Sequence, residues 1–231
     1  MNLLKVKNLS KTYVSRFGSA KVEALKNVSF EINKGEYVAI MGESGSGKTT
    51  LLNILATLDK PSGGQVFLEG KDLSALKDKN LAAFRRDNLG FVFQDFNLLD
   101  TFSLEDNIYL PLVLSGRKYP EMHEKLMPLA AKLGIDKLLK KYPYEVSGGQ
   151  KQRAAVARAL ITDPRLILAD EPTGNLDHNT SMEIFDLFKR LVKEYDKTVI
   201  MVTHNEKLAM MCDKVLYMDQ NIRKLVNYEC S

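Results

Sequence analysis

Residues 42–50 combine residue types and a spacing that suit the binding of phosphate groups. They fit the pattern G-x-x-x-x-G-K-[ST] and read Gly42, Glu43, Ser44, Gly45, Ser46, Gly47, Lys48, Thr49 and Thr50. Because glycine has no side chain, successive backbone N–H groups can converge on phosphate oxygens, and a following helix adds the partial positive charge of its N-terminus. Lys48 can then reach the β- and γ-phosphates, and the Thr49 hydroxyl can bind Mg²⁺. The simpler interpretation is a Gly/Ser turn that caps a helix.

The residues on either side of this segment predict a strand before it and a helix after it. Residues 37–41 form an apolar run bounded by Gly35, and Leu51, Leu52, Ile54 and Leu55 recur at helical spacing. A loop between a strand and a helix is the structural context in which the pattern binds phosphate.

Two adjacent carboxylates, Asp170 and Glu171, follow the apolar run 166–169. Ligands bind at the carboxyl ends of strands in an open parallel sheet. Acidic residues at strand ends are also common in turns. In a chain with a phosphate loop, however, the pair favours a metal ligand beside a catalytic base.

Three single residues complete the candidate nucleotide site. Gln94 ends the predicted strand 89–93, and its amide oxygen can ligate Mg²⁺ and orient a water molecule. The predicted strand 198–203 brings His204 to the same sheet edge as Glu171. Tyr13 follows the first predicted strand, residues 4–9, where its ring can stack on adenine or simply pack at an edge.

A second anion site is predicted at Ser147, Gly148, Gly149 and Gln150, which precede an alanine-rich helix over residues 152–162. Ser147 is a typical N-cap, and the glycines expose backbone N–H groups at the N-terminus of the helix. Helix capping alone is the simpler interpretation.

Composition narrows the class of protein. The chain has 231 residues, of which 45% are hydrophobic, enough for one large domain or two small ones. A net charge of +4, spread along the chain, does not indicate nucleic-acid binding. Cys212 and Cys230 have no metal-ligand spacing, which predicts reduced thiols and a cytoplasmic setting. No apolar run is long enough to span a bilayer, so we expect any membrane association to depend on a partner.

Together these residues resemble the nucleotide-binding subunit of ATP-binding cassette (ABC) transporters over nearly the whole chain. The matching positions, in the family's order, are Tyr13, residues 42–49, Gln94, residues 147–150, Asp170, Glu171, Asn175, Leu176, Asp177 and His204. Val146 departs from the leucine that many members have, and it leaves the serine and glycines intact.

The resemblance implies an α/β fold of the P-loop NTPase (ABC ATPase) type. It would have a RecA-like mixed-sheet core, an N-terminal antiparallel β subdomain and an inserted α-helical subdomain. Residues 1–231 would form a single nucleotide-binding domain. Residues 1–99 and 160–231 would form the catalytic core with the β subdomain, and residues 100–159 the helical subdomain that carries the signature.

The resemblance also implies a head-to-tail homodimer that traps two ATP molecules between the phosphate loop of one subunit and residues 147–150 of the other. Glu171 would polarise the attacking water and His204 would hold the γ-phosphate. Thr49, Gln94 and Asp170 would position Mg²⁺. Tyr13 would stack on adenine, and Asp177 would act across the dimer.

The group that includes macrolide exporters, lipoprotein-release ATPases and antimicrobial-peptide resistance transporters looks most similar, because of residues 169–177. Within it, residues 93–101 look most like the Bce-type branch. Asp100 stands where a proline is usual in the lipoprotein-release and macrolide branches. Such ATPases work with a membrane permease and often a histidine kinase. This implies a peripheral subunit at the cytoplasmic face of the cell membrane, without direct nucleic-acid contact.

An apolar cluster at the entrance to the predicted helical lobe is expected to dock the permease, although an apolar cluster alone is more often core. Its members, called the docking cluster below, are Phe96, Leu98, Leu99 and Phe102.

Alternative functions are an ATPase for lipoprotein release, macrolide export or cell division. A soluble ATPase linked to nucleic acid is a further hypothesis. It is disfavoured by the single cassette, the weak basicity and the lack of a coiled-coil insertion between Gly47 and Ser147. The last hypothesis is that the protein acts as a signalling adaptor for a sensor kinase.

Overall fold

The computed structural model describes residues 2–14, 21–219 and 225–228. Its strands and helices in chain order are β1 (Asn2–Val14), β2 (Lys21–Asn33), β3 (Tyr37–Gly42), α1 (Lys48–Leu55), β4 (Gly63–Leu68), β5 (Lys71–Asp72), α2 (Asp78–Asn88), β6 (Leu89–Val92), α3 (Leu104–Val113), α4 (Tyr119–Leu133), α5 (Gly148–Leu160), β7 (Leu166–Asp170), α6 (His178–Tyr195), β8 (Thr198–Val202), α7 (Glu206–Ala209), β9 (Lys214–Met218) and β10 (Leu225–Tyr228). Short 3-10 helices cover Asp136–Leu138 and Pro143–Glu145.

The chain divides into two units. The first contains residues 1–82 and 198–231, and the second contains residues 83–197. The predicted helical segment, residues 100–159, falls inside the second unit. Among the helices described, none combines the length and the apolar character needed to cross a membrane.

The first unit contains an antiparallel sheet with strand order β2-β1-β4-β5. Leu4 and Val6 are buried, whereas Lys7 is exposed, so residues 4–7 alternate as in a one-sided sheet. The alternation shifts at Asn8, where φ is 48° and the register changes, and Leu9 is again buried. Both long strands exceed the predicted ranges. Tyr13 was expected beyond the first strand but belongs to β1, where it pairs with Val22 of β2. Residues 15–20 of the expected hairpin loop lie outside the described residues.

Parallel strands form the other sheet of this unit, in the order β10-β9-β3-β8. Strand β3 pairs in parallel with both β8 and β9, and β10 pairs antiparallel with β9. Residues 37–41 of β3 and all of β8 are buried, which explains why their sequences are continuous apolar runs without alternation.

In the second unit, β6 and β7 pair in parallel and helices α3 to α6 provide most of the remaining structure. Glycine and proline residues divide this helical stretch into short helices. Gly116 follows α3, Pro120 lies in the first turn of α4, Gly134 ends α4 at a φ of 66°, and Pro143 opens a 3-10 helix. Helix α2 was not predicted, because its sequence is largely charged.

Cys212 is buried, and it forms no disulfide bond within the described part of the chain. Cys230 lies outside the described residues.

Candidate functional site

The phosphate loop joins β3 to α1, as predicted. Gly47 is the N-cap of α1 at a φ of 98°, and its carbonyl accepts from the Leu51 N–H at 2.8 Å. Buried leucine and isoleucine side chains anchor α1, which leaves its N-terminus directed at the loop. The loop therefore ends on a helix N-terminus, a favourable place for a phosphate group.

Two glycines of the loop occupy positions that no other residue can take without strain. A Cβ on Gly42 would lie 2.4 Å from the Met218 carbonyl oxygen, and one on Gly47 would lie 2.5 Å from the Ala24 carbonyl oxygen. Both residues have positive φ angles. These two glycines thus give the loop a backbone path that side chains would block.

Lys48 folds back over this loop. Its Nζ donates to the carbonyl oxygens of Gly42 at 2.7 Å and Glu43 at 2.8 Å. The ammonium group is therefore held beside the backbone of the cradle, where phosphate oxygens can take over as its acceptors. Ser46 is fully buried beneath the loop and Thr49 is exposed.

His204 lies near the same end of the parallel strands. The Thr203 N–H donates to the Ile40 carbonyl oxygen at 3.1 Å, which extends the β3–β8 pairing by one bond. His204 is the next residue, exposed, and Asn205 then caps the short helix α7. The first unit therefore brings His204 and the phosphate loop to the carboxyl ends of neighbouring strands. The predicted proximity of His204 to Glu171 stays a prediction.

Tyr13 is held at its hydroxyl group, which donates to Asp59 Oδ2 at 2.8 Å. Burial raises the pKa of the Tyr13 phenol. A side-chain hydrogen bond with Thr50 lowers this pKa, and the bond with Asp59 raises it again. Tyr13 therefore lies beside the phosphate loop. Tyr13 as a whole residue is 41% exposed.

The second unit contains Gln94, Asp170 and Glu171. Val92 pairs with Ala169 in the parallel β6–β7 register, so Gln94 and the two carboxylates follow adjacent strand ends. Asp170 and Glu171 are both half-buried, and Glu171 has a φ of 45°. That left-handed backbone redirects the chain immediately after the strand.

Asn175 links the loop after Gln94 to the loop after Glu171. Its Nδ2 donates to Asp95 Oδ1 at 2.7 Å and to the Gln94 carbonyl oxygen at 3.3 Å. The Gly174 N–H donates to the Glu171 carbonyl oxygen at 2.9 Å. Hydrogen bonds of Asn175 and Gly174 thus connect the backbone of Gln94 to that of Glu171 within this unit.

Helix α5 begins with a capping box, which confirms the expected N-cap. Ser147 Oγ accepts from the Gln150 N–H at 3.3 Å, and Gln150 Oε1 accepts from the Ser147 N–H at 3.0 Å. A Cβ on Gly148 would lie 3.2 Å from Leu176, and one on Gly149 would lie 2.6 Å from Thr180. The glycines therefore permit close packing of α5 against Leu176, which precedes α6, and against Thr180 in the first turn of α6.

Asp177 is the N-cap of α6. Its carboxylate accepts from the N–H groups of Asn179 and Thr180, and from the Thr180 hydroxyl at 2.5 Å. The Thr180 hydroxyl bond is the main reason that the pKa of Asp177 lies below its ordinary value. Its local contacts are therefore those of a helix cap. The predicted contact across a dimer remains a prediction.

Sequence reasoning missed two residues of α5 that support these loops. Arg158 donates to the carbonyl oxygens of Asn97 at 2.5 Å and Phe96 at 2.8 Å, and burial lowers the pKa of its guanidinium group. Gln152 is fully buried and donates to the Pro172 carbonyl oxygen at 2.7 Å. Their partners are 20 to 62 residues away, so no local pattern reveals them.

Comparison with known proteins decides the family. A family model described as ABC transporter matches residues 25–174, which is more than half of the chain. The chain belongs to the ABC transporter family. The resemblance expected from the motifs is therefore confirmed.

Proteins similar to this ABC protein include a general ABC transporter ATP-binding protein, a bacitracin export ATP-binding protein and a lipoprotein-releasing system ATP-binding protein. YxdL of Bacillus subtilis strain 168, an ABC transporter ATP-binding protein, is 51% identical over 94% of this chain and 83% of its own length. The bacitracin export ATP-binding protein BceA of Halalkalibacterium halodurans is 44% identical over 94% of this chain and 85% of its own. The lipoprotein-releasing system ATP-binding protein LolD of Cytophaga hutchinsonii is 42% identical over 95% and 98%.

A solved structure supports the fold of this ABC ATPase. The dimeric post-hydrolysis state of the ATP-binding cassette MJ0796 bound to ADP and Pi has a TM-score of 0.88 at 38% identity, with 99% of each chain covered. The predicted α/β ABC ATPase fold is confirmed. The chain is an ATPase subunit that binds and hydrolyses ATP.

The residues of this ATPase fit a magnesium ion that is held mainly through the nucleotide. Among residues 2–14, 21–219 and 225–228, no group of three or more His, Cys, Asp or Glu side chains could hold a metal ion. Mg²⁺ in phosphoryl-transfer sites usually takes one or two protein ligands, with phosphate oxygens and water completing the set. Within the second unit, the half-buried Asp170 carboxylate is one ligand of that kind, and within the first unit the exposed Thr49 hydroxyl is another.

Proposed function

We propose that this ATPase pairs head to tail with a second copy when ATP is bound, and that closure and reopening of the pair drive a membrane permease. The phosphate loop carries the proposal, because Gly42, Gly47 and Lys48 form a cradle of backbone groups and one ammonium group that is matched to a triphosphate. The similarity to a dimeric cassette bound to ADP and Pi supports the pairing. The protein would act at the cytoplasmic face of the membrane, attached through the permease.

Residues of the first unit would bind the nucleotide. Lys48 would exchange the Gly42 and Glu43 carbonyl oxygens for β- and γ-phosphate oxygens, and His204 would donate to the γ-phosphate. Tyr13 would stack on the adenine ring. These groups hold the triphosphate in place and counter its charge.

Residues of the second unit would prepare the attack on the γ-phosphate. Glu171 would accept a hydrogen bond from the attacking water and polarise it, and Gln94 would orient that water. Asp170, with Gln94 and Thr49, would hold Mg²⁺, which neutralises charge on the phosphate oxygens when it is bound.

The N-terminus of α5 would act on the ATP of the partner copy. The Ser147 hydroxyl and the N–H groups of Gly148 and Gly149 can donate to γ-phosphate oxygens, and the helix N-terminus adds partial positive charge. Asp177 would lie at the seam between the two copies. Each ATP would then be enclosed only after pairing, so closure would depend on nucleotide.

Replacing Glu171 with glutamine tests this proposal. We expect Glu171→Gln to bind ATP with Mg²⁺ at parental affinity but to lower the turnover rate by about 100-fold or more, because the group that polarises water is lost. ATP should then shift the variant to a dimer in size-exclusion chromatography with light scattering. Removal of Mg²⁺ with EDTA should abolish hydrolysis by the parent. Hydrolysis at the parental rate would exclude Glu171 as the base, and a monomer at saturating ATP would exclude the closed pair.

For the branch, we propose a role in resistance to antimicrobial peptides. Similarity to BceA of H. halodurans, named for bacitracin export, and Asp100 in place of the proline expected in the other branches support it. Deletion of the gene should lower the inhibitory concentration of bacitracin or a related peptide, and the parental gene, but not Glu171→Gln, should restore it. Unchanged peptide sensitivity with defective lipoprotein release or macrolide export would favour the activities named for other relatives, including LolD of C. hutchinsonii.

Two other hypotheses, signalling to a histidine kinase and nucleic-acid binding, predict different results. A histidine kinase attached through the permease would lose peptide-dependent output in Glu171→Gln if hydrolysis drives signalling, and would keep it if the subunit acts as an adaptor. A nucleic-acid function requires salt-sensitive binding to DNA or ribosomes at physiological ionic strength.

A further inference from the structure

The end of β1 and the segment after α1 form a compact polar cluster around Tyr13. The Asp59 carboxylate accepts three hydrogen bonds, from the Tyr13 hydroxyl at 2.8 Å, from Lys11 Nζ at 2.6 Å and from the Lys60 N–H at 2.7 Å. Lys11 Nζ also donates to the Lys60 carbonyl oxygen at 2.7 Å and lies 4.8 Å from the centre of the Tyr13 ring. The Asp59 carboxylate thus holds the hydroxyl group of the ring, and the Lys11 ammonium group covers one face of it.

We propose that Asp59 and Lys11 are positioning residues for the nucleobase, which hold the Tyr13 ring as a preformed platform with one face covered and the other open to adenine. The inference rests on the proposed function, in which Tyr13 stacks on adenine. It goes beyond that function because it assigns roles to two residues outside every predicted motif, and because it predicts selectivity for the base over the phosphates.

Burial distinguishes this cluster from ordinary surface ion pairs. The side chains of Lys11 and Asp59 are only 12% and 29% exposed, whereas Tyr13, which they hold, is 41% exposed as a whole residue. Burial alone would raise the pKa of the Asp59 carboxyl, but hydrogen bonds from Lys11 and Tyr13 outweigh it and hold this pKa below its ordinary value. Asp59 is therefore charged at neutral pH and can restrain both partners.

A restrained aromatic ring binds a base better than a free one. Fixing a mobile side chain on binding costs conformational entropy, and a ring that is already fixed avoids this cost. Lys11 also contributes a cation–π contact on the face that it covers, so an incoming base would meet the opposite face.

The position of Asp59 relates the platform to the phosphate loop. Helix α1 begins at Lys48 of that loop, and Asp59 lies just after the helix, where its N–H donates to the Asn53 carbonyl oxygen at 3.2 Å. Thr50 in the first turn of α1 also contacts the Tyr13 phenol. Helix α1 therefore sets the distance between the groups that hold the base and those that hold the triphosphate.

Comparing ATP with inorganic tripolyphosphate separates positioning of the base from general stability. We expect Asp59→Asn to weaken ATP binding by about three- to tenfold, the net value of one ordinary hydrogen bond, while tripolyphosphate binding changes by less than about twofold. Both ligands would be measured with Mg²⁺ by isothermal titration calorimetry on the full chain. The matched control is Asp163→Asn, which removes the carboxylate that Lys197 binds at 2.5 Å after α5. It should leave both affinities unchanged.

A double-mutant cycle with Tyr13→Phe tests whether the hydroxyl bond is the link. Tyr13→Phe keeps the ring and the Lys11–Asp59 pair but removes the bond to Asp59. We expect Tyr13→Phe to weaken the binding of ATP but not that of tripolyphosphate. In the double variant it should add little to the effect of Asp59→Asn, because both changes break the same hydrogen bond. If Asp59→Asn fails to fold, Tyr13→Phe and Lys11→Met, which retain the buried surface, decide the question by the same two affinities.

The outcomes separate the two levels of inference. A parental protein that binds neither ATP nor tripolyphosphate would overturn the proposed function itself. A parent that binds both, with variants that weaken both equally or leave ATP binding intact, would overturn the positioning role and leave the proposed function standing.

Discussion

At the scale of single residues, the space around Gln94 is set by a glycine from another loop. A Cβ on Gly174 would lie 2.9 Å from Gln94 Nε2 and 3.1 Å from its Cδ. Gly174 does not have a positive φ, so an added methyl group would strain no backbone and would act on the Gln94 side chain alone. Gly174 therefore offers a way to move Gln94 without replacing it.

We predict that Gly174→Ala displaces the Gln94 amide and lowers the turnover rate by about tenfold, because an error near 1 Å in a positioning group is costly. The free energy of unfolding should change by less than about 1 kcal/mol, since a flexible side chain can yield. Steady-state ATPase assays and chemical denaturation measure both. The control is Gly63→Ala, whose Cβ would meet nothing within 4 Å. A normal turnover rate in Gly174→Ala would show that the Gln94 position is not critical.

At the scale of secondary-structure elements, α5 has two tasks that can be separated. Its N-terminus carries the Ser147 cap, and its interior holds neighbouring loops through Gln152 and Arg158. Helix α3 has a similar cap, in which Ser103 Oγ accepts from the Asp106 N–H at 3.1 Å. The two serines therefore form a matched pair that shares the structural task.

We predict that Ser147→Ala and Ser103→Ala each lower the free energy of unfolding by about 1 kcal/mol through loss of the cap. Only Ser147→Ala should also reduce ATP hydrolysis, by about 10-fold or more, because only its hydroxyl would face the partner's γ-phosphate. The measurements are denaturant unfolding and ATPase rate at a protein concentration that allows pairing. Equal ATPase rates in the two variants would show that Ser147 acts only as a helix cap.

A helix or strand can be predicted from the sequence when residues close together in the chain determine it. Strand β3 was expected from its continuous apolar run, helix α1 from leucine and isoleucine at helical spacing, and the start of α5 from the N-cap Ser147. Helix α2 was missed because charged residues dominate its sequence and leave few apolar positions to reveal a helical period. Tyr13 was placed outside its strand because β1 remains paired after the apolar alternation ends.

The candidate site shows the same limit. Its phosphate loop is a contiguous motif and was predicted in full, whereas Asp59 meets Tyr13 across 46 residues and Arg158 meets Phe96 across 62. Such contacts arise from the tertiary fold, and neither partner has a distinctive neighbour in sequence. Residues proposed to bind the nucleotide can therefore be found as sequence motifs, whereas the groups that hold them in place are found only in the folded structure.

At the scale of the whole molecule, the proposed function requires a surface for another protein, and the docking cluster is the candidate. Leu99 is 47% exposed and Phe102 is 39% exposed, whereas Phe96 and Leu98 are half-buried. Arg158 fixes the backbone of the cluster at the Phe96 carbonyl oxygen. Exposed apolar side chains on a fixed backbone favour a binding surface, and the cluster follows Gln94 by only a few residues. Movement of the permease could therefore be transmitted to the residue that orients water.

We predict that Phe102→Glu abolishes co-purification with the permease, because a carboxylate would have to be buried without a partner at the interface. The isolated subunit should keep its unfolding midpoint and its basal ATPase rate, since Phe102 contributes little to the core. Met127→Glu is the matched control, because Met127 on α4 is also 39% exposed and lies outside the cluster. Pull-down from membranes that contain both proteins measures the result. Retention of the permease by Phe102→Glu at the level of Met127→Glu would place the permease contact elsewhere on the ATPase.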